Sequence, residues 1–395
     1  MADYSSHDSA SSAEHSIIDN EPLLPSEQYV GNLEPVAYFH DAMPTGVTVS
    51  HRGRIFVNFP KWGDNVRFTV AEIIAGEDKV VAYPDEVINQ TQPNDPAAAL
   101  VSVQSVVVDP ADRLWILDTG SPLFQPTKYG GPKLLCVDLN TNQVIRKILF
   151  SQNVALPTTY LNDIRFDLRR GKEGVAYITD SSQNGSNGII VVDLASGESW
   201  RRLNDHPSTK SEDIQTFLPI VEGRAFVVRQ EPQQQGKNGS AKLAANMGSD
   251  GIAISATGER LYYCPLASRK LYSVSTEALI DRSLHDQYVS RTVQDEGDKG
   301  GASDGLESDA EGRLYLTNYE HNSILRSSPE GEWETIAHDP RLLWPDTLSL
   351  ASDGYLYVTA NQLHRQARFH NGQDIRRKPY TLFRIKVDAK PILLR

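Results

Sequence analysis

One phrase recurs six times along the chain: a polar corner, an alternating apolar strand, a short turn that often ends near Gly-Arg, and a second apolar strand. The copies read GVTVSHRGRIFVNF from Gly46, SVVVDPADRLWILD from Ser105, DIRFDLRRGKEGVAYITD from Asp163, GIAISATGERLYYC from Gly251, GLESDAEGRLYLTN from Gly305 and TLSLASDGYLYVTA from Thr347. A unit of this size cannot bury its apolar face alone, so neighbouring copies must stack. The repeat therefore constrains the fold more than any single motif.

The spacing of the copies predicts the architecture. Successive copies start about 40 to 90 residues apart, which leaves room for a four-stranded blade, and further apolar hairpins begin at Lys133, Gly188 and Ser323. Six such units that close on themselves remove most exposed sheet edges. We therefore predict an all-β fold, a six-bladed β-propeller. A pair of β-sandwiches or a parallel β-helix would not explain a repeat of about 55 residues.

The prediction for the domain boundaries rests on composition. Residues 1–33 are acidic and Ser-rich and are expected to be a disordered segment, whereas residues 34–395 form a single propeller. The last strand, from Tyr380, should close the ring with the strand at Phe68 or with the segment before Gly46. An inserted loop is expected near residues 231–250, either as a tolerated surface insertion or as a lid over an axial pocket.

Charge and cysteine content exclude several classes of partner. The chain has 39 Lys and Arg against 51 Asp and Glu, a formal charge of −12, which disfavours nucleic acid and anionic membranes as partners. Its two cysteines, Cys136 and Cys264, are too few for a disulfide framework and lack zinc-site spacing, so we expect buried thiols. The start of the chain has no signal-peptide pattern, which predicts an intracellular, cytoplasmic protein.

The corners before the repeated strands predict where ligands bind. In a propeller the loops leading into the innermost strands gather around one axis, so residues at equivalent corners should face each other. These residues are Thr45, Gln104, Asn162, Asp163, Ser249, Asp250, Ser303, Asp304 and Asp346. Carboxylates placed together in a ring should raise one another's pKa unless a cation neutralises them. The alternative is that each residue only caps its own turn.

Loops after the second strand of each copy should lie at the same mouth. They and the neighbouring corners contribute polar and aromatic residues: Trp62, Asn318, Tyr319, Trp344, Asn361 and His364. The tryptophans are equally explained as packing residues between blades, and His364 as a structural histidine. No cofactor is expected, although calcium would suit the oxygen ligands Asn162, Asp250 and Asp304. The sequence contains no nucleophile elbow, phosphate loop or dinucleotide fingerprint, which disfavours redox and nucleotide chemistry.

Several of these stretches resemble the major royal jelly protein and yellow family of six-bladed propellers. The resemblance is carried by GVTVSHRGRIFVNFPKW, LVSVQSVVVDPADRLWILDTG, PKLLCVDLNTNQVIRKI, GSDGIAISATGERLYYCPLASRKLYSVS, GGASDGLESDAEGRLYLTNYEHNSILR and WPDTLSLASDGYLYVTANQLHR. A weaker similarity runs to gluconolactonase and regucalcin-like propellers. Insect members are usually secreted and tend to have a cysteine where this chain has Asp112. The resemblance thus implies an intracellular microbial or fungal relative.

The family resemblance implies a range of activities, because it includes dopachrome-converting enzymes, small-amine binders and fungal hetero-Diels–Alderases. We expect a cofactor-free isomerase or cyclase of secondary metabolism that acts on a conjugated oxygenated ring, such as a quinone methide. The expected catalytic residues are Ser249, Asp250, Ser303, Asp304, Tyr319, Asp346 and His364. The expected substrate-binding residues are Thr45, Trp62, Gln104, Asn162, Asp163, Asn318, Trp344 and Asn361. A calcium-dependent lactonase-like hydrolase and a small-molecule binding protein without turnover remain alternatives.

Overall fold

Six four-stranded antiparallel sheets surround one axis, which confirms the predicted six-bladed β-propeller. The computed structural model describes residues 28–395 except 75, 78 and 230–240. Most of the predicted N-terminal segment, residues 1–27, and part of the predicted inserted loop therefore lie outside the described residues. Each sheet places its first strand against the axis, where inner strands of neighbouring blades contact each other.

The repeated phrase forms the two inner strands of every blade. In the first three blades, from the axis outwards, the strands are β2 (Val47–Val49), β3 (Ile55–Asn58), β4 (Val70–Ile73) and β5 (Val80–Ala82); β6 (Val103–Val108), β7 (Arg113–Asp118), β8 (Lys133–Asp138) and β9 (Gln143–Leu149); and β10 (Leu161–Asp167), β11 (Val175–Asp180), β12 (Gly188–Asp193) and β13 (Ser199–Arg202). The hairpins predicted from Lys133 and Gly188 are thus the outer strands of two blades.

Between the third and fourth blades lie two small hairpins: β14 (Ile220–Val221) with β15 (Arg224–Ala225), and β16 (Val227–Arg229) with β17 (Ala241–Leu243). The remaining blades contain β18 (Ser249–Ile254), β19 (Arg260–Pro265), β20 (Lys270–Ser275) and β21 (Gln294–Asp298); β22 (Leu306–Ser308), β23 (Leu314–Asn318), β24 (Ser323–Ser327) and β25 (Trp333–His338); and β26 (Pro345–Leu350), β27 (Tyr355–Ala360), β28 (Tyr380–Lys386) and β1 (Glu34–Phe39). Among the described residues, three short α-helices lie in loops: α1 (Glu86–Asn89), α2 (Thr276–Ile280) and α3 (Asp286–Ser290).

The ring closes in the last blade, where the N-terminal strand β1 completes the sheet. Its partner is β28, with Phe39 opposite Tyr380 and Glu34 opposite Arg384. Of the two partners expected for the strand at Tyr380, the segment before Gly46 is therefore the observed one. Residues from opposite ends of the chain share this blade, which closes the propeller without leaving an open edge between its two ends.

The turn inside the phrase is stabilised by an aspartate that recurs in two blades. Asp109 accepts hydrogen bonds from the Ala111 and Arg113 backbone amides and from the Trp115 indole, at 2.9, 3.0 and 2.8 Å. Asp309 repeats the pattern with the amides of Glu311 and Arg313 and the hydroxyl of Tyr315. Buried carboxylates satisfied in this way fix the tight turn between the first and second strands.

The apolar residues of the phrase fill the space between blades. Buried clusters join adjacent sheets, and the predicted burial of both thiols is confirmed: Cys136 and Cys264 are free and buried. Burial raises the pKa of Cys136 to about 12 and that of Cys264 to about 11. Both thiols therefore stay protonated and act as small apolar core residues.

The insertion after β13 is larger than the loop near residues 231–250 that the sequence indicated. It runs from the end of β13 to β18 and includes the β14–β17 hairpins, while Ser249 and Asp250 already belong to the innermost strand of the fourth blade. Phe217, Val221 and Met247 of this insertion share one apolar cluster with residues around the axis. The described part of the insertion thus covers one end of the propeller.

The other end of the axis is crossed by the C-terminal tail. The Leu168 amide donates to the Leu394 carbonyl at 2.8 Å, and the Ala310 amide donates to the Lys390 carbonyl at 3.0 Å. A cavity of ≈ 80 Å³ lies beneath the tail. We call this the lower end, and the end at which the innermost strands begin the upper end.

Candidate active site at the propeller axis

Backbone irregularities turn the corner residues towards the axis. Register shifts occur where β10, β18 and β26 begin, between Leu161 and Ile164, Ser249 and Ile252, and Pro345 and Leu348. A bulge of this kind bends a strand and re-aims its side chains. The corner residues therefore point inwards at the upper end instead of following the regular alternation of the strand.

Threonines on the second strands hold these corners in place. The Thr179 hydroxyl donates to the Asp250 carbonyl at 2.7 Å, and the Thr317 hydroxyl accepts from the Asp304 and Gly305 amides at 3.1 and 3.0 Å. The Thr359 hydroxyl donates to the Thr45 carbonyl. The recurrence of Thr near the end of YITD, YLTN and YVTA is a sequence signal that the prediction did not use.

The corner residues converge as predicted on one small axial cavity, which we call the carboxyl ring. Its volume is ≈ 10 Å³, close to that of a single water molecule. The predicted site residues that line it are Gln104, Asn162, Asp163, Asp250, Asp304 and Asp346. All six are buried. The repeat thus brings four carboxyl groups together in a desolvated space.

Two of these carboxyls form a hydrogen-bonded pair. Asp250 and Asp304 are bonded through their side chains, the Asn162 amide nitrogen donates to Asp250, and the Trp344 indole donates to Asp304 at 2.7 Å. Burial, then the charges of Asp304 and Asp346, raise the pKa of Asp250 well above its usual range. Burial also raises the pKa of Asp304, to about 6. The hydrogen bond between the two carboxyls needs one shared proton, and the larger rise in pKa places that proton on Asp250.

Asp346 is a third carboxyl with a strong preference for the neutral form. The Asn361 amide nitrogen donates to it at 2.7 Å, and the Thr347 hydroxyl lies 3.3 Å from its other oxygen. Burial, followed by the charge of Asp304, raises the pKa of Asp346 well above its usual range. Asn361 is thereby placed as a direct partner of the ring.

Asp163 differs from the other three carboxyls because it has a cationic partner. Its oxygens lie 3.0 Å from the Arg165 guanidinium and 2.8 Å from the Ser105 hydroxyl. Arg165 is itself buried and donates to the Leu306 carbonyl, with Glu307 3.9 Å away. Arg165, the fifth residue of β10, and Glu307, the second residue of β22, were not predicted from the sequence.

The two serines and Thr45 of the corners have unlike environments. The Ser303 hydroxyl donates to the Thr317 carbonyl, and Thr45 accepts from the Asn58 amide nitrogen at 2.8 Å. These two side chains brace the corner, as the alternative interpretation of turn residues expected. The Ser249 hydroxyl is buried and has no hydrogen-bond partner among the described residues.

An aromatic stack rises from the ring at the upper end. Trp344 lies parallel to Tyr319, with ring centroids 4.1 Å apart and an interplanar angle of 7°. His364 stacks on the same indole at 5.8 Å. The Tyr319 hydroxyl donates to the Leu266 carbonyl at 2.8 Å, and burial raises the pKa of Tyr319 well above its usual range. Tyr319 is therefore a neutral wall residue, and only Trp344 of this stack donates a hydrogen bond to the ring.

His364 faces away from the ring towards a carboxylate of the insertion. Its Nε2 lies 2.8 Å from Glu222 Oε2. The pKa of His364 is lowered, because the effect of burial outweighs the opposing effect of Glu222. The structure thus does not bring His364 to the carboxyl ring, where the sequence analysis expected it.

The remaining predicted residues lie at the edge of the mouth. Trp62 stacks on Phe124 with centroids 5.2 Å apart, and its indole donates to the Tyr160 hydroxyl at 2.8 Å. That hydroxyl in turn donates to Gln104 at 3.0 Å, which connects Trp62 to the ring. Asn318 instead braces a loop through the Gly300 carbonyl. Tyr160 was missed because it lies three residues before its copy of the phrase, outside the two corner positions that were considered.

In this arrangement the predicted calcium ligands are engaged with one another. The predicted ligands Asn162, Asp250 and Asp304 are together, but the Asn162 amide nitrogen points at Asp250, and Asp250 carries a proton shared with Asp304. In the described part of the chain there is no group of three or more His, Cys, Asp or Glu residues placed to hold a metal. A hard cation would need the shared proton removed and the amide reversed.

Comparison with known proteins identifies the family. A model of the family described as "Major royal jelly protein" matches residues 101–390. The chain belongs to this family. It is 31% identical to major royal jelly protein 7 of Apis mellifera over 204 residues, 50% of this chain and 40% of that protein. It is 26% identical to protein yellow of Drosophila madeirensis over 341 residues, 82% of this chain and 56% of that protein. The chain thus spans about half the length of these relatives.

Solved structures share the fold of this family member at low sequence identity. A calcium-binding regucalcin from Agrobacterium tumefaciens has a TM-score of 0.51 at 15% identity, covering 92% of this chain and 95% of its own. A gluconolactonase from Xanthomonas campestris has a TM-score of 0.51 at 12% identity, covering 92% and 99%. These likenesses confirm the fold. Among the described helices none is both long and apolar enough to cross a membrane.

Proposed function

We propose that the protein is a small-molecule enzyme that catalyses a non-redox reaction, a tautomerisation or a cyclisation, on a conjugated oxygenated ring such as a quinone methide. The observation that carries this proposal is the Asp250–Asp304 pair. It sets a carboxylic acid beside a carboxylate at neutral pH, in a site closed to bulk water. Groups whose pKa values are pushed apart in this way are suited to act as an acid and a base together.

In a tautomerisation the pair exchanges protons with the substrate. Asp304 takes a proton from the carbon next to the substrate carbonyl, while Asp250 donates its proton to the carbonyl oxygen. The C–H bond breaks, the O–H bond forms, and the total charge of the pair does not change. A proton then passes from Asp304 to Asp250 along their hydrogen bond and restores the starting state.

In a cyclisation the same acid acts without net proton transfer. The Asp250 hydroxyl donates a hydrogen bond to the substrate carbonyl and stabilises the negative charge that develops there as an alkene adds to the conjugated system. Hetero-Diels–Alder closure, which the family resemblance implies for fungal relatives, is a reaction of this type. Trp344 and Asn162 act as positioning residues, because each holds one carboxyl of the pair.

Access to the pair requires movement of the upper cover. The ring cavity has room for one water molecule only, and Phe226 of the insertion packs on Trp344 with centroids 5.4 Å apart. The insertion consists of short hairpins and contacts the body through the apolar cluster and through polar contacts, among them Glu222 with His364 and the Ile220 amide with Glu320. Such a segment can open for substrate if these contacts break. The aromatic rings exposed by such an opening would contact a flat substrate.

The test compares Asp250→Asn and Asp304→Asn with wild type. Turnover is measured with an o-quinone methide generated in situ in the presence of an electron-rich alkene, and with a cyclic 1,3-diketone whose proton exchange is followed by NMR. We expect each variant to lose about 100-fold or more in rate. Wild-type exchange should rise as the pH passes through about 6, because Asp304 becomes ionised there. The matched control is Asp295→Asn, which removes an exposed carboxylate paired with Lys270.

Other outcomes of this experiment would decide for the alternatives. Full turnover in both variants would refute the proposed roles of the pair. Activity that disappears on chelation and returns with calcium would indicate a calcium-dependent lactonase-like hydrolase. Binding with only unchanged ligand recovered would indicate a binding protein.

A further inference from the structure

A second, much larger cavity lies beside the aromatic stack, on the side opposite the carboxyl ring. Its volume is ≈ 660 Å³, within the range of small-molecule sites, and we call it the outer cavity. The β14–β15 hairpin forms one wall and residues 363–377 form the other. The lining residues that matter here are Glu222, Arg224, Phe226, His364, Phe369 and Arg377.

The charge of the outer cavity is positive, in contrast to the acidic chain around it. Glu222 is the acidic residue of its lining, and it is already engaged by His364 at 2.8 Å and by the Arg365 Nε at 2.9 Å. These contacts lower the pKa of Glu222 well below its usual range, with the His364 hydrogen bond as the largest cause. Glu222 and Arg365 therefore neutralise each other.

Arg224 and Arg377 are the cations left over. Among the described residues, no carboxylate oxygen lies within 4.0 Å of the guanidinium nitrogens of either arginine, so neither forms an ion pair there. Both residues are exposed on the cavity wall. In a chain with a formal charge of −12, two arginines that face one cavity and have no carboxylate partner among the described residues favour an anionic ligand.

The apolar part of the outer cavity restricts the shape of that ligand. The rings of Phe226 and Phe369 meet edge to face, with centroids 4.9 Å apart, and Val221, Val227 and Ile375 complete this wall. The buried imidazole of His364 also lines the cavity, and its Nδ1 has no hydrogen-bond partner among the described residues. Flat aromatic surfaces beside guanidinium groups suit a planar ring that carries a carboxylate.

We propose that the outer cavity binds a small planar organic carboxylate, with Arg224 and Arg377 on the carboxylate and Phe226 and Phe369 against the ring. The outer cavity is separate from the carboxyl ring, so this proposal does not depend on the proposed reaction. The Trp344–His364 stack lies between the two sites.

The test uses trans-cinnamate as the probe and its neutral isostere cinnamamide as the matched ligand, with binding followed by calorimetry on the full chain. Cinnamate should bind, and cinnamamide should bind about tenfold more weakly or not at all. Arg377→Gln and Arg224→Gln should each weaken cinnamate binding by about tenfold. The control Arg291→Gln, which removes an exposed guanidinium that lies over the Tyr288 ring, should leave binding unchanged.

A fourth variant guards against loss of binding through misfolding. Glu222→Gln removes the carboxylate that neutralises Arg365, so cinnamate should bind a few-fold more tightly, a gain that a damaged protein would not show. The proposal is overturned if cinnamate does not bind to wild type, if cinnamate and cinnamamide bind equally, or if Arg377→Gln and Arg224→Gln bind cinnamate as wild type does.

Discussion

The carboxyl ring and the outer cavity lie on either side of one tryptophan, yet they are built in opposite ways. The ring is acidic, closed and about the size of one water molecule, whereas the outer cavity is cationic, open and ≈ 660 Å³ in volume. Trp344 donates to Asp304 on one side and stacks on His364 on the other. The difference shows that one propeller mouth can hold a closed, acidic cavity beside an open, cationic one.

The two sites also differ in how their charges are compensated. In the ring, burial favours the protonated forms of Asp250 and Asp346, while Asp163 pairs with Arg165. In the outer cavity, the carboxylate of Glu222 is ionised because a histidine and an arginine contact it. Protonation therefore controls the charge of the ring, and ion pairing controls the charge of the cavity.

The largest expected effect comes from removing the residue that the two regions share. Trp344→Ala deletes a fully buried indole that packs on Tyr319, His364 and Phe226, and should lower the free energy of unfolding by about 3 to 5 kcal/mol. Urea unfolding followed by circular dichroism measures this loss.

A milder change at the same position separates packing from hydrogen bonding. Trp344→Phe keeps an aromatic ring in the stack but removes the donor to Asp304, so it should cost less stability and raise the pKa of Asp304 above about 6. Equal losses of stability in the Ala and Phe variants would contradict the role assigned to the stack.

Removing the charge of a ring carboxyl should change the stability less than Trp344→Ala does, and with opposite signs at Asp163 and Asp304. Asp163→Asn leaves the buried Arg165 without its carboxylate and should destabilise the protein by about 3 kcal/mol. Asp304→Asn replaces a carboxylate by a neutral amide and should stabilise it at about pH 8. The pKa shift from 3.8 to about 6 corresponds to about 3 kcal/mol.

The pH dependence of that gain follows from the direction of the shift. The folded state binds the Asp304 proton more tightly than the unfolded state does, so the native protein loses stability as the pH rises from about 4 to about 6. Relative to wild type, Asp304→Asn should therefore show no increase in the free energy of unfolding at low pH and the full increase above about pH 6. Thermal melts of both proteins across this pH range measure the difference in stability. A gain that is the same at every pH would contradict the raised pKa of Asp304.

The repeat was sufficient to predict the fold and the position of the ring. Each copy combines alternating apolar residues with a turn, and equivalent corners of a closed array must meet at one axis. This is why Asp250, Asp304 and Asp346 could be placed together without coordinates. The partner strand of β28 remained open between two segments, because alternation does not encode which strands pair.

The parts that could not be predicted depend on residues outside the phrase. Arg165 lies within an inner strand, where its regular position gives no sign that it neutralises Asp163. The outer cavity combines the insertion after β13 with a loop of the last blade, so Arg224 and Arg377 are distant in sequence and share no repeat. His364 was placed at the mouth, but its contact with Glu222 turns it towards the outer cavity.

The most direct test of the account is infrared difference spectroscopy of the Asp250–Asp304 pair at about pH 8, with isotope-labelled aspartate. We expect a carboxylic acid C=O band in wild type. Part of this band should disappear in Asp250→Asn, and the whole band should persist in the exposed control Asp295→Asn. The absence of any carboxylic acid band at this pH, or a band that Asp250→Asn leaves unchanged, would contradict the claim that the ring holds a proton on Asp250.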